Sequence, residues 1–392
     1  MRTTGSMNAS SLRNGGFDRS IGGFFRDAAR ISRSEPKTAL FFARTAIHQR
    51  RAAARRREWG KRGVHVPPVM IISVTRRCNL RCAGCFVHAH GRPAGQEMSE
   101  QELRNVVAQA RDLGVSMVAL AGGEPLTRPE ILDITRDHPE IVFLVVTNGS
   151  LLNDHLLTRM QAQRNVIPLL SLEGFEGETD CRRGEGVYDA ARGAMEQMQQ
   201  RRMFFGTSVM VTRRNFGLVT SRVFARELVA RGCKLFFYVD YVPIQEGTEH
   251  LVPSEAQRRS EPLTMNLFRR EFPGLFLASS ASEQAFGGCM AAGRGFIHVS
   301  AEGDLEPCPF SPFADVNLRK VTLRDALQST FLRKIRESDE HLTESEGGCA
   351  LWSKRGWVQS LLAGQEPVAP GQSLAPEPSE DQIPSLGDRL VA

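Results

Sequence analysis

The sequence contains no apolar run that is long enough to cross a membrane. Of its 392 residues 41% are hydrophobic, yet its longest purely apolar stretches, residues 69–72 and 141–146, have the length of a β-strand. A membrane-spanning helix needs about 20 consecutive apolar residues. The N-terminus also lacks the apolar core and cleavage site of a secretory signal. We therefore expect a cytoplasmic protein.

Cysteine is scarce, and its distribution is uneven. Eight cysteines are too few to stabilise a chain of this length by disulfides, but three of them, Cys78, Cys82 and Cys85, lie within eight positions. In a cytoplasmic protein such clustering indicates metal or redox chemistry. The other five are Cys181, Cys233, Cys289, Cys308 and Cys349.

Acidic residues are rare in the first part of the chain. Residues 1–66 hold 15 Lys or Arg and 4 Asp or Glu, a net charge of +11, whereas the whole chain carries +6. Such a basic arm favours an anionic contact with lipid headgroups, nucleic acid or an acidic protein. Two helical patterns, over residues 17–31 and 38–59, either lie on a membrane surface or pack on the main domain with a solvated basic face. We favour the packed arrangement.

Strands alternate with helices after the arm, which predicts a parallel sheet with its functional sites at the carboxyl ends of the strands. Six strands are predicted, over residues 69–74, 115–121, 141–147, 166–172, 206–211 and 234–242, and the motif Thr147-Asn148-Gly149 closes the third. Ser99 and Glu102 predict a capping box at the start of a helix. Residues 253–285 are expected to be helical or looped, and a helix is expected over residues 323–338. We therefore divide the chain into a basic helical arm, a core, a small α+β extension and a disordered tail rich in Pro, Ser and acidic residues. Their ranges are 1–66, 67–252, 253–363 and 364–392.

The three clustered cysteines have the spacing C-x3-C-x2-C and directly follow the first strand. Thiolates are soft ligands that suit zinc or iron–sulfur clusters. A structural zinc site normally takes four protein ligands. Three cysteines can instead hold three irons of a 4Fe–4S cluster and leave the fourth iron open to a small molecule.

This cysteine loop resembles the signature of the radical S-adenosylmethionine (SAM) superfamily. Gly122, Gly123, Glu124 and Pro125, which follow the second strand, resemble the GGEP motif of that family. The resemblance implies a partial (β/α)6 barrel in which these residues hold the amino group of SAM. The SAM-binding candidates at later strand ends are Asn148, Ser171, Glu173 and Arg183.

The resemblance also implies the reaction. The 4Fe–4S cluster would bind SAM, and an electron from a reductant such as flavodoxin or ferredoxin would cleave it to a 5′-deoxyadenosyl radical that removes a hydrogen atom from a substrate. We expect the basic arm to be dispensable for this cleavage. One departure from the family is Gly84, because the residue before the third cysteine is often an aromatic that contacts adenine.

Three of the remaining cysteines follow the core. Glu302-Gly303-Asp304 predicts a hairpin turn that brings Cys289 and Cys308 together, with Cys349 as the third member. This region resembles the SPASM and twitch extensions, which implies a second 4Fe–4S cluster. A carboxylate or Cys233 could supply a fourth ligand. The alternatives are a single zinc ion or unrelated buried cysteines.

We therefore predict a radical SAM oxidoreductase that modifies a C–H bond of a peptide, a protein or a biosynthetic intermediate. Two alternatives stay open: an enzyme that acts on a membrane lipid, and an iron–sulfur binding or sensor protein without turnover. The basic arm could place the protein at a membrane surface, and we expect no nucleic acid partner. The sequence identifies no further catalytic residue.

Overall fold

The computed structural model describes residues 23–28, 30–31, 36–91, 95–279, 283, 286–343 and 349–363. The predicted disordered tail and residues 17–22 and 29 of the predicted first helix lie outside these ranges. Within them, no helix combines the length and the apolar character that crossing a membrane requires.

A single nine-stranded sheet organises the described chain, with strand order β7-β6-β5-β4-β3-β2-β1-β8-β9. Strands β1 to β8 run parallel to their neighbours, and β9 pairs antiparallel with β8. The sheet is not closed, as expected for a partial barrel. Its strands are β1 Val69–Thr75, β2 Met117–Gly122, β3 Val142–Thr147, β4 Val166–Leu172, β5 Gly206–Val211, β6 Leu235–Asp240, β7 Leu275–Ala278, β8 Phe296–Val299 and β9 Leu305–Glu306.

Helices cover the outer face of this sheet, and α4 shows how a local sequence signal starts one of them. The predicted capping box forms at α4, where Ser99 and Glu102 satisfy each other's backbone N–H groups. The helices are α1 (residues 23–28 and 30–31), α2 Pro36–Lys61, α3 Phe86–Ala89, α4 Glu100–Leu113, α5 Ile131–Asp137, α6 Asp154–Gln163, α7 Glu176–Arg183, α8 Val187–Gln200, α9 Phe216–Val219, α10 Arg222–Ala230, α11 Glu255–Glu271, α12 Leu323–Ala326, α13 Thr330–Glu337, α14 Ala350–Ser353 and α15 Arg355–Ala363.

Two separate apolar cores hold the sheet in place. Alternate strand residues such as Ile72 and Val145 join the main core. Strand residues that face the other side of the sheet, such as Leu144 and Leu169, pack in a second core with Phe25 of α1 and Phe42 of α2. The basic arm therefore packs on the main domain, the arrangement that the sequence favoured.

The extension differs from the expectation in two respects. Residues after the sixth strand were expected to be helical or looped, but Leu275–Ala278 forms β7, which pairs with β6. The predicted hairpin forms, and its strand β8 also pairs with β1, so the extension continues the central sheet. The single helix expected over residues 323–338 is divided into α12 and α13.

Candidate active site

The glycines after β2 hold the base of the cysteine loop. The N–H of Gly123 donates to the Thr75 carbonyl at 2.8 Å, and the N–H of Glu124 donates to the Arg77 carbonyl at 2.8 Å. A Cβ atom on Gly122 or Gly123 would overlap these same carbonyl oxygens. The pair of glycines is thus required by the close approach of two backbone segments.

Glu124 is buried at the carboxyl ends of β2 and β3, with 1% of its surface exposed. Its Oε1 accepts hydrogen bonds from the Thr147 hydroxyl at 2.7 Å and the Leu126 N–H at 3.1 Å, and its Oε2 accepts from the Asn148 N–H at 2.9 Å. Burial raises the pKa of this carboxyl, while the three donors oppose that shift. Glu124 is therefore fixed rigidly beside the loop.

Asn148 links the third strand to the cysteine loop. Its side-chain amide donates to Asn79 Oδ1 at 3.0 Å, and the Asn79 amide donates to the Ser150 hydroxyl at 2.7 Å. Three predicted motifs, the cysteine loop, the GGEP segment and the Thr-Asn-Gly segment, thus form one hydrogen-bonded unit.

Glu173 lies at the end of β4 in a buried ion-pair network. Its carboxylate accepts from Arg182 Nη1 at 2.6 Å and from Arg183 Nε and Nη2 at 2.7 and 2.8 Å. Burial opposes ionisation, but the Arg183 and Arg182 guanidinium groups hold the pKa of Glu173 below its usual range. Ser171, two residues earlier on the same strand, is also buried.

The same arginines act on the cysteine loop. Burial raises the pKa of the Cys82 thiol, and Arg183 and Arg182 act in the opposite direction. The Arg182 carbonyl also accepts the Ala83 N–H at 2.9 Å. Helix α7 therefore supports the loop and stabilises negative charge on its thiolates. Its sequence has little apolar periodicity, and the sequence analysis did not identify it as a helix.

Tyr241 occupies the space beside Gly84 that an aromatic side chain at that position would take. Gly84 has a φ of 63°, and any Cβ atom there would overlap the Tyr241 ring and hydroxyl. The Tyr241 hydroxyl is buried and has no hydrogen-bond partner among the described residues. It fits a polar group of a bound ligand. Sequence reasoning missed Tyr241, since only the fold brings it to Gly84.

The three loop cysteines are half-buried and form no disulfide. The Leu80 N–H donates to Cys78 Sγ at 3.4 Å, whereas burial raises the pKa of the Cys78 thiol. Within the described ranges, no three His, Cys, Asp or Glu side chains already form a metal-binding group. The loop nevertheless has the features that suit a metal cluster with thiolate ligands: three accessible thiols, a backbone donor and nearby guanidinium groups.

The three cysteines of the extension are distant in sequence and lie near enough to act on one another electrostatically, although within the described ranges they form no ready metal-binding group. Burial raises the pKa of Cys289 and Cys308 well above the usual range, and that of Cys349 to about 12. Repulsion from the Glu283 carboxylate also raises the pKa of all three thiols, and repulsion from the Cys349 thiolate raises the pKa of Cys289 and Cys308. Cys233 instead packs against Met195 in the main core.

A buried Ser–His–Glu chain connects the extension to the core. The Nδ1 of His298 on β8 lies 2.8 Å from Glu306 Oε2 on β9, and its Nε2 lies 2.8 Å from the Ser73 hydroxyl on β1. A carboxylate can only accept, so Nδ1 donates to Glu306, and the Ser73 hydroxyl completes the chain at Nε2. This chain fixes the hairpin that carries Cys308. Its three residues lie among apolar residues on separate strands, so the sequence alone did not indicate that they contact one another.

Comparison with known proteins agrees with this geometry. The model of the Radical SAM superfamily matches residues 72–215, which include the cysteine loop, Glu124 and the Glu173 network. Residues 72–215 form a radical SAM domain. Proteins with this domain use a 4Fe–4S cluster and SAM, and the sequence-based identification of the domain is confirmed.

Two curated proteins show the range of activities among the relatives of this chain. The chain is 27% identical over 307 residues to "AdoMet-dependent heme synthase" from Methanosarcina barkeri, a match that covers 70% of this chain and 86% of the relative. It is also 27% identical over 320 residues to "Mycofactocin maturase MftC" from Mycobacterium tuberculosis, with 74% and 80% covered.

A solved structure supports the fold of the chain. Streptococcus suis SuiB bound to S-adenosylmethionine superposes with a TM-score of 0.60 at 17% identity, over 78% of this chain and 82% of SuiB. At this identity the match supports the fold, and it extends beyond the residues that the family model covers.

Proposed function

We propose that Cys78, Cys82 and Cys85 hold the 4Fe–4S cluster and that the residues around Glu124 hold the amino group of SAM. The observation that carries this proposal is the direct hydrogen bonding of the GGEP segment to the base of the cysteine loop. The buried Glu124 carboxylate is an acceptor that suits an ammonium group, and its three donors hold it in place.

The other site residues have roles that follow from their contacts. Arg183 lowers the electrostatic cost of placing thiolates near Cys82. The Tyr241 hydroxyl can bond a polar group of the bound nucleoside. Since both Glu173 oxygens are engaged by arginines, we assign Glu173 to the positioning of Arg183 and leave the ribose contacts to Ser171 and its neighbours.

When bound, the cluster would supply the electron for the reductive cleavage of SAM, the chemistry that allows a hydrogen atom to be taken from the substrate. We propose that the electron comes from an acidic donor protein of the flavodoxin or ferredoxin type. Arg77 and Arg81 are exposed on the cysteine loop and would face such a donor.

We propose that Cys289, Cys308 and Cys349 hold a second 4Fe–4S cluster and that residues 253–363 form a separate cluster-binding extension. The mutual effect of the thiols on one another supports this assignment, since thiolates crowded together need a cation. The Glu283 carboxylate is the candidate fourth ligand, because it acts on all three thiols.

The proposed substrate is a peptide or protein. The relatives named mycofactocin maturase and "PqqA peptide cyclase" (the latter from Rhizobium meliloti, 24% identical over 252 residues) support a peptide. The relative named heme synthase supports a second candidate, an iron porphyrin.

A deuterium-transfer experiment distinguishes these substrates. The reduced, reconstituted enzyme is incubated with SAM and either a deuterated peptide encoded beside its gene or deuterated iron coproporphyrin. We expect deuterium from the peptide in 5′-deoxyadenosine and a changed peptide mass. Deuterium only from the porphyrin would contradict the peptide assignment, and absence of SAM turnover would indicate a protein without enzymatic activity.

A further inference from the structure

The outer face of helix α2 carries one continuous line of alternating cationic and apolar side chains. The line consists of Lys37, Leu40, Arg44, Ile47, Arg51 and Ala54, all of them exposed. Successive members are three or four residues apart, so they lie on one face of the helix. We call this line the outer stripe. Leu40 and Ile47 are 53% and 51% exposed, so the stripe presents two large apolar side chains to solvent between its cations.

The opposite face of α2 fixes the orientation of the helix. Phe42 is fully buried in the second core. The Gln49 amide donates to the Ser116 carbonyl at 3.2 Å, and the buried Arg56 guanidinium donates to the Gly114 carbonyl. Because α2 is held along its length, the outer stripe is a preformed surface and needs no folding upon binding.

Helix α2 carries an excess of positive charge, most of which has no acidic counterpart on the helix itself. The helix contains eight Lys or Arg residues and one acidic residue, Glu58. No ion pair within the described part of the chain involves Lys37, Arg44 or Arg51, and Glu58 pairs with Lys61 and Arg62 at the far end. The outer stripe is therefore suited to an anionic partner.

We propose that the outer stripe docks the protein on an anionic lipid surface. Arginine and lysine can extend to headgroup phosphates while Leu40 and Ile47 enter the boundary with the acyl chains. A nucleic acid would use the cations but gain nothing from the apolar side chains. A symmetric dimer through this face would bring Lys37, Arg44 and Arg51 against like charges, which is unfavourable.

This proposal is independent of the reaction and can be tested without the substrate. The full chain is mixed with vesicles of phosphatidylcholine alone or with about one-third phosphatidylglycerol, at about 0.1 M salt, and bound protein is measured by flotation. We expect binding only to the anionic vesicles and its loss at about 0.5 M salt, where charges are screened.

Two double variants separate the contributions of charge and apolar contact. Each cation near such a surface strengthens binding about five-fold, so Arg44→Glu with Arg51→Glu should weaken it by more than about 25-fold. Leu40→Ser with Ile47→Ser should also weaken binding. The matched control is Val223→Ser with Arg226→Glu on α10, where Val223 is 64% exposed; it should bind like the wild type.

Three results would overturn the proposal. Absence of binding to anionic vesicles by the wild type would do so, as would equal loss in the α10 control. Retention of binding in the Leu40 and Ile47 variant, together with equally tight binding of heparin, would assign the stripe to polyanions in general. Because all substituted residues are exposed, an unchanged melting temperature should confirm that every variant is folded.

Discussion

Replacement of Arg183 by alanine tests the buried network beside the cysteine loop. Arg183 and Glu173 are 11% and 4% exposed, and two of the three hydrogen bonds to the carboxylate come from Arg183. Removing one partner of a buried ion pair typically costs about 3–5 kcal/mol. Since Arg182 still pairs with Glu173, we expect a loss near the lower limit, about 3 kcal/mol.

The assay is urea unfolding of the metal-free full chain at neutral pH, with the slope against urea checked for constancy. The matched control is Arg182→Ala, which removes one charged hydrogen bond and should cost about 1.5 kcal/mol. The double variant Glu173→Gln with Arg183→Ala should be more stable than Arg183→Ala alone, because it no longer buries an under-compensated charge.

The pH dependence of the free energy of unfolding gives a second test of this network. The pKa of Glu173 is lowered in the folded protein, so its stabilisation is present above the unfolded pKa and is lost as the pH falls through the folded value. The difference between the wild type and Arg183→Ala should therefore shrink in acid. A loss under about 1 kcal/mol, or a difference that does not change with pH, would refute the reasoning.

Further predictions concern the loop, the arm and the second cluster. Gly123→Ala should abolish SAM cleavage because its methyl group overlaps the Arg77 carbonyl, whereas Gly193→Ala on α8, with no atom near the added methyl, should retain it; 5′-deoxyadenosine measured by chromatography distinguishes the two. The sequence suggested that the arm is dispensable for SAM cleavage. Removal of residues 1–60, however, would delete Phe25 and Phe42 and expose the strand residues of the second core that they cover. We expect that truncation to broaden or abolish the thermal transition, and a sharp, unshifted transition would contradict this. Anaerobic reconstitution should give about eight irons per chain. About four should remain in the triple alanine variant of Cys289, Cys308 and Cys349, and an unchanged iron content would exclude the second cluster.

The parts of the fold that the sequence predicted correctly have strong local signals. Val166–Leu172 is a continuous apolar run, and the structure has β4 at those same residues. Ser99 and Glu102 form the capping box that their spacing predicts. In both cases the neighbouring residues alone determine the local structure.

The parts that the sequence did not predict depend on distant contacts. β7 has four residues and is stabilised by pairing with β6, so its own sequence carries little information. Tyr241 reaches Gly84 only because the sheet curves. The Ser73–His298–Glu306 chain likewise depends on the pairing of β8 with β1, which joins strands more than 200 residues apart in sequence.

The central claim is that the loop of Cys78, Cys82 and Cys85 binds the cluster that cleaves SAM. The most direct test measures 5′-deoxyadenosine formed from SAM by the reduced, anaerobically reconstituted wild type and by the variant with all three cysteines changed to alanine. We predict that the wild type forms 5′-deoxyadenosine and that the variant forms none and binds about four fewer irons. Continued 5′-deoxyadenosine formation by the variant would contradict the account.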